Sequence, residues 1–151
     1  MNDILELKGI LKYIFKILNL KSVNIKDLTN ILFLIEWEFI KISKYRLFNY
    51  KWTNSLENNI NLIRNDIKKC NLEIISHNRY EMIYYCESDY KLTNYINKSI
   101  EKIKDYELIL NKSEFYFLDK LPFDLFYKND KLEFINIDIE ELVRKKENKE
   151  Y

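Results

Sequence analysis

From Ile4 to Leu20 the apolar residues Ile4, Leu7, Leu11, Ile14 and Leu18 recur at alternating spacings of three and four, while Lys8, Lys12 and Lys16 fall on another face. This is the period of an amphipathic helix. Asn19 and Lys21-Ser22 mark its end. Asn24 is placed to cap a second helix, with Asp27 in the first turn beside the positive end of the helix dipole. From Leu28 to Ile42 apolar residues cover nearly the whole circumference of that helix, so it is expected to be surrounded by protein. Ser43 to Asn54 loses the period but keeps Tyr45, Leu47, Phe48, Tyr50 and Trp52, which predicts an ordered, packed connection. Ser55 caps a third helix with the stripe Leu56, Ile60, Ile63 and Ile67 and an end near Cys70. Leu72 to Ser76 and Tyr80 to Cys86 are rich in β-branched and aromatic residues and flank His77-Asn78-Arg79, a hairpin signal. Ser88-Asp89 opens a fourth helix through Leu92, Ile96, Ile100 and Ile103, and Ser113 caps a shorter one through Leu118. Pro122 closes that region, because the residue before a proline disfavours helical geometry. Phe123 to Ile137 is aromatic and then alternating, with Asn129-Asp130 as a turn, which suits a short strand, and Asp138 to Arg144 adds a last helical turn or two. The pattern predicts an α+β, mainly α, single compact domain over residues 1–144. It has about five helices and a small antiparallel β-hairpin near 72–86, and a charged tail, 145–151, that is expected to fray.

Composition narrows the chemistry. The 151 residues include one Gly, one Pro, one His and two Cys. Loops that cradle phosphate bring backbone close to the ligand and use several glycines; Gly9 stands alone inside a helical pattern, so neither a P-loop nor a dinucleotide fingerprint is present. Nucleophilic triads and zinc sites would have to be built around His77, Cys70 and Cys86. The expectation is a protein that is not an enzyme and carries no cofactor or metal. Lys+Arg is 25 against Asp+Glu at 24, a formal charge of +1, so the field that draws proteins to nucleic acid or anionic membranes is missing. The longest apolar run, Ile31 to Ile35, is far short of the roughly 20 residues that span a bilayer. Asp3 and Glu6 stand where a signal peptide carries positive charge, and a cytoplasmic location is expected. Abundant Lys, Ile and Asn with no Ala fit an A/T-rich coding bias. The 12 Tyr are therefore read first as core and codon drift and only second as an interface.

Four groups are candidates for chemistry, and each has a plainer reading. His77 falls in the hairpin turn, where a solvated turn residue outweighs a ligand or a base, since no second His can join it. With the turn centred on Asn78-Arg79, residue 71 faces residue 86, which brings Cys70 and Cys86 towards one another, yet small apolar packing is the expected role of both. Glu36 and Glu38 interrupt the most apolar helix and must find partners there. Two residues apart, they point to different faces and cannot form one acid/base pair. The expectation is that one holds a loop donor such as Tyr45, Arg46 or Trp52 and the other meets solvent, with a hydrolase built on Glu36 as the lesser reading. The third helix and the hairpin also follow one another in the order of a winged helix, with Arg64, Lys68, Lys69 and Arg79 as its phosphate contacts, against which the neutral total argues.

The run Leu28-Thr29-Asn30-Ile31-Leu32-Phe33-Leu34-Ile35-Glu36-Trp37-Glu38-Phe39 resembles the signature helix of the SocA-like antitoxin domain, or Panacea, family. Phe48, Trp52 and Ile60 are similar to the aromatic loop and following helix of that family. Phe115-Tyr116, Leu121-Pro122-Phe123 and Lys131-Leu132-Glu133-Phe134 resemble its C-terminal pieces. After Trp52 the sequence departs from the family's Tyr-Gly-Pro-x-Ser and reads Asn54-Ser55-Leu56-Glu57. The resemblance implies a mainly helical α+β domain that neutralises a partner toxin by direct contact. A virus or mobile element could reuse such a domain as an anti-CRISPR-like inhibitor of a host defence complex. The partner expected is thus a protein, whether a toxin, a defence-system component or a second copy of the chain, with nucleic acid and membrane disfavoured. Tyr45, Arg46, Phe48, Tyr50 and Trp52 in the loop, with Arg79 and Tyr80 at the hairpin tip, are the expected contact residues, because loops and turns present large side chains.

Overall fold

A computed structural model describes residues 3–53, 55–77, 80–85, 87–105, 108–110, 115–117 and 138–148. Helix α1, Ile4–Ile17, starts at Asp3, whose carboxylate accepts the amides of Leu5 and Glu6. It buries Leu7, Ile10, Leu11, Ile14 and Phe15, so its apolar face is wider than one stripe. Helix α2, Ile25–Ser43, is the axis of the molecule. Every residue from Ile25 to Glu38 is buried except Lys26, and α3 (Leu56–Lys69), α4 (Asn94–Glu101) and the last helix, α5 (Ile139–Glu147), all pack on it. The all-round apolar pattern thus lies where it was expected, inside protein. No helix among the described residues is long and apolar enough to cross a membrane.

Strands β1 (Ser22–Asn24), β2 (Ile75–His77) and β3 (Tyr80–Tyr84) form an antiparallel sheet in the order β1-β3-β2. His77 pairs with Tyr80, the register expected of the hairpin. Val23 pairs with Ile83, and both are buried. The strand β1 was not expected. It is three residues long and leads directly into the Asn24 cap of α2, too short for any period to show. The architecture is therefore mainly α with a small three-stranded sheet. A second antiparallel pair, β4 (Leu108–Leu110) and β5 (Phe115–Phe117), lies towards the C-terminal side.

Three boundaries differ from the periodicity. The fourth helix starts at a Thr93 cap, not at Ser88-Asp89. Residues 87–92 instead cross α1, where Lys12 Nζ donates to Ser88 O at 3.0 Å and pairs with Glu87 at 3.2 Å. Tyr90 and Leu92 lie over Gly9. The Ser88 hydroxyl caps only a local turn, accepting from the Tyr90 amide. A 3₁₀ turn, Lys102–Asp105, extends α4 and buries Ile103. Phe115–Phe117 is a strand, not the helix expected after Ser113, since three successive aromatics favour extended pairing over a single capping signal. The last helix runs through Glu147, beyond the expected turn or two, and Lys145 pairs with Glu141 at 3.2 Å where a frayed tail was expected. Pro122, the strand expected within 123–137, Asn78, Arg79, Cys86 and residues 149–151 lie outside the described residues, as does the side chain of His77.

Candidate functional site

The connection from Lys44 to Thr53 leaves the end of α2 and returns along its side to α3. Lys44 takes a left-handed conformation, φ 67°, and ends the helix. The Ser43 hydroxyl donates to Phe39 O and accepts from the Tyr45 amide at 3.1 Å, which fixes the backbone at the corner. Tyr45 itself is 75% exposed, the most exposed large hydrophobic side chain among the described residues.

Glu36, midway along α2 and 0% exposed, holds the rest of the loop. Its Oε1 accepts from Arg46 Nε at 2.9 Å, from Arg46 Nη2 and from Trp52 Nε1 at 2.8 Å. Its Oε2 accepts from the amides of Leu47 at 2.9 Å and Phe48 at 2.7 Å. Arg46 Nη2 also donates to Tyr50 O at 2.7 Å. A buried carboxylate is tolerated when charge and hydrogen bonds both compensate it, and both do so here.

Helix α3 supplies two further attachments. Tyr50 donates its hydroxyl to Asp66 Oδ2 at 2.6 Å, and burial, then Asp66, push the phenol above its ordinary pKa. Asn59 accepts the Thr53 amide and donates to Thr53 O, both at 3.0 Å, so its side-chain amide pairs with the loop as a neighbouring strand would. Between these attachments Trp52 packs edge-on against Phe33, with ring centroids 5.3 Å apart, and Tyr50 meets Phe48 at a tilt and Trp52 edge-on.

Several expectations change. Of the contact residues expected, Phe48, Tyr50 and Trp52 are core, because Glu36, Asp66 and the aromatic cluster draw them inward. Arg46 is half-buried on Glu36, and Tyr80 is half-buried within β3 rather than projecting from a tip. Arg79 is outside the described residues, and Tyr45 alone is presented outward as expected. Of the two carboxylates, one of which was expected to hold a loop donor, Glu36 does so, with Arg46 and Trp52 among its donors. Glu38, expected to meet solvent, is buried and pairs with Lys41 at 3.6 Å, which also reaches Glu147 of α5 at 3.7 Å. A hydrolase built on Glu36 is overturned, since its two oxygens are filled and sealed from solvent. Arg64, a supposed phosphate contact, donates to both carboxylate oxygens of Glu81 in β3. Cys70 is buried at the end of α3.

Asp66 and Asn59 were missed, and Asp27, expected only as a first-turn residue favoured by the helix dipole, is buried with Oδ1 unsatisfied. Asn59 and Asp66 lie four before and three after Ile63, on the same helical face, so polar residues within an apolar stripe were the available signal. Two depressions flank the loop. A cleft of about 610 Å³ lies between α2 and α5, lined by Ile40, Lys44, Asp138, Glu141, Arg144 and Glu147 among others. A recess of about 410 Å³ lies between residues 49–51 and α3, with Tyr50, Lys51, Asp66 and Lys69 in its wall. Among the described residues no group of three or more His, Cys, Asp or Glu is arranged to hold a metal ion. The fold and loop define an α+β protein, mainly helical, with an internally latched connection. No family model matches the chain, and neither a curated protein nor a solved structure matches it.

Proposed function

We propose that the chain is a non-enzymatic protein-binding domain that neutralises its partner by direct contact, in the manner the SocA-like resemblance implies, and that the contact centres on Tyr45. One observation carries this reading. A 75% exposed tyrosine stands on a corner whose backbone is held by Ser43 and whose following residues are held by Glu36. An exposed aromatic on a fixed backbone loses little conformational freedom on binding, which is the usual character of an interface anchor. Arg46 and the aromatics behind it then support the anchor rather than touching the partner.

The reading is tested by placing the photo-crosslinker p-benzoylphenylalanine at position 45 and, as a control, at Tyr95, another exposed tyrosine on α4. In the native cell a discrete protein adduct is expected from position 45 and none from position 95. Equal yields at both positions, or no protein adduct at position 45, would remove Tyr45 as the anchor. For the antitoxin reading, co-expression with the neighbouring gene is expected to restore growth that the neighbour alone arrests. The Tyr45→Ala variant is expected to lose that rescue while staying folded. If the adduct is instead a component of a defence complex, the partner is a defence system and the contact surface is unchanged.

A further inference from the structure

Asp27 is the one described residue with a sealed side-chain polar atom that nothing satisfies. The side chain sits in the first turn of α2, 3% exposed, and Oδ1 meets no hydrogen-bond donor. The cap of that helix is made by Asn24, whose side chain accepts the Lys26 amide, and the return bond that an acidic third residue often makes to the cap is not formed from Oδ1. Charge acts on it from one neighbour, Lys26. Strand β1 carries no ionisable side chain, and in β3 Glu81 is turned to Arg64. The dipole of α2 favours the anion, but a partial charge at a helix end is worth less than the solvation that an ionised carboxylate gives up on burial.

The location gives this orphan group leverage. Asn24, the cap of α2, is also the last residue of β1, and β1 ties the β2–β3 hairpin to the helical body through its pairs with Met82, Ile83 and Tyr84. We propose that the Asp27 carboxyl is a pH-sensitive catch at the β1–α2 junction. As a neutral acid it rests in its buried site and the junction is closed. As an anion it must be hydrated, and the first turn of α2 and the β1–β3 pairing open to admit water. No covalent step is involved; one proton passes to solvent.

The direction is fixed by linkage. Burial raises the carboxyl from 3.8 to about 7 in the closed form, and an opened junction returns it towards the ordinary value. Opening is therefore favoured progressively as pH rises from about 4 to about 7 and levels off above that. Amide hydrogen exchange on the intact protein, corrected for intrinsic rates, reads the opening directly. Between pH 5 and pH 8 the protection of amides 22–30 is expected to fall on the order of a hundredfold. Amides of α5 are expected to hold steady, because α5 meets α2 near Ile40, Lys41 and Lys44, at the end of that helix away from Asp27. The fall is expected to vanish in Asp27→Asn. Flat protection at 22–30 in the unmodified protein, an equal fall in α5, or an unchanged slope in Asp27→Asn would each overturn the proposal. Should Asp27→Asn not fold, the carboxyl ¹³C titration of Asp27 in the unmodified protein decides. A midpoint that tracks the exchange transition supports the catch, and one at the ordinary aspartate value ends it.

Discussion

Glu36 shows what a single residue can do in a chain with one glycine and one proline. A ten-residue connection would ordinarily turn with the help of such residues, but here two carboxylate oxygens collect five donors from four residues. The side chain thus replaces backbone chemistry that the composition does not provide. Glu36→Gln keeps the shape but turns an amide NH₂ towards donors on one side, so at least one N–H pair faces N–H with no acceptor. We expect a loss of about 3 kcal/mol, since breaking a buried charge pair typically costs 3–5 kcal/mol and Arg46, being partly exposed, can regain some hydration. The measurement is the urea midpoint, compared with Glu38→Gln, whose exchange partner is the looser Lys41 at 3.6 Å and whose loss is expected to be smaller. Equal midpoints for the two variants would show that the Glu36 latch adds nothing beyond packing.

At the scale of elements, α1 packs on α4, where Tyr13 donates to Glu101, and is also crossed by residues 87–92; Gly9 is the reason that crossing is close. A Cβ there would stand 3.1 Å from Leu92 Cδ2 and 3.3 Å from both Cβ and Cδ1 of Tyr90. Leu92 can yield at its far end, whereas Tyr90 Cβ is anchored to the backbone. Gly9→Ala is expected to be near neutral, because about 1 kcal/mol of helix propensity offsets the tight contact. Gly9→Val is expected to lose about 2 kcal/mol and to break the Lys12–Glu87 contact, since its added methyls have no space. Thermal unfolding of both variants checks this, and a stabilised Gly9→Val would mean the crossing is looser than described. The same segment shows where sequence reading stops. Periodicity located α1, α2 and α3, because each buries a continuous face or stripe, and the turn centred on Asn78-Arg79 set the hairpin register. Ser88-Asp89 carries the right residue types for a cap but is used by Lys12 of α1, a contact 76 positions away that no local pattern encodes. For the loop, the aromatic content was legible while its direction was not. Phe48, Tyr50 and Trp52 read equally as contact residues or as core until Asp66 and Asn59, both polar residues on a buried face, are seen to pull the loop inward.

For the whole molecule the formal charge of +1 conceals an uneven arrangement of carboxyls. Acid-labile proteins ordinarily owe their stability at neutral pH to carboxylates paired in the folded state. Here Asp27 is raised from 3.8 to about 7 by burial, and Glu6 is raised above 4.5 by burial and then by Asp3. A group whose folded value lies above its unfolded one binds its proton more tightly in the folded chain. Its contribution to stability is complete below the unfolded value and is lost as pH rises through the folded value. For Asp27 that window runs from about 4 to about 7. Glu87 is lowered by Tyr85 and Lys12 and acts in the opposite sense, but it is fully exposed and solvent screens it. The stability curve should therefore slope downward from mildly acidic to mildly alkaline pH. Between pH 5.5 and pH 8 the Asp27 linkage corresponds to about 2 kcal/mol, or roughly 4–8 °C in Tm for a domain of this size. Asp27→Asn, which cannot ionise, is expected to flatten that slope mainly by raising Tm at pH 8, because the amide spares the folded chain the cost of a buried anion. A Tm that climbs from pH 5.5 to pH 8 in the unmodified protein would place the proton-linked stability in paired surface carboxylates instead, and Asp27 would then be an ionised residue whose compensation lies in the α2 dipole and Lys26.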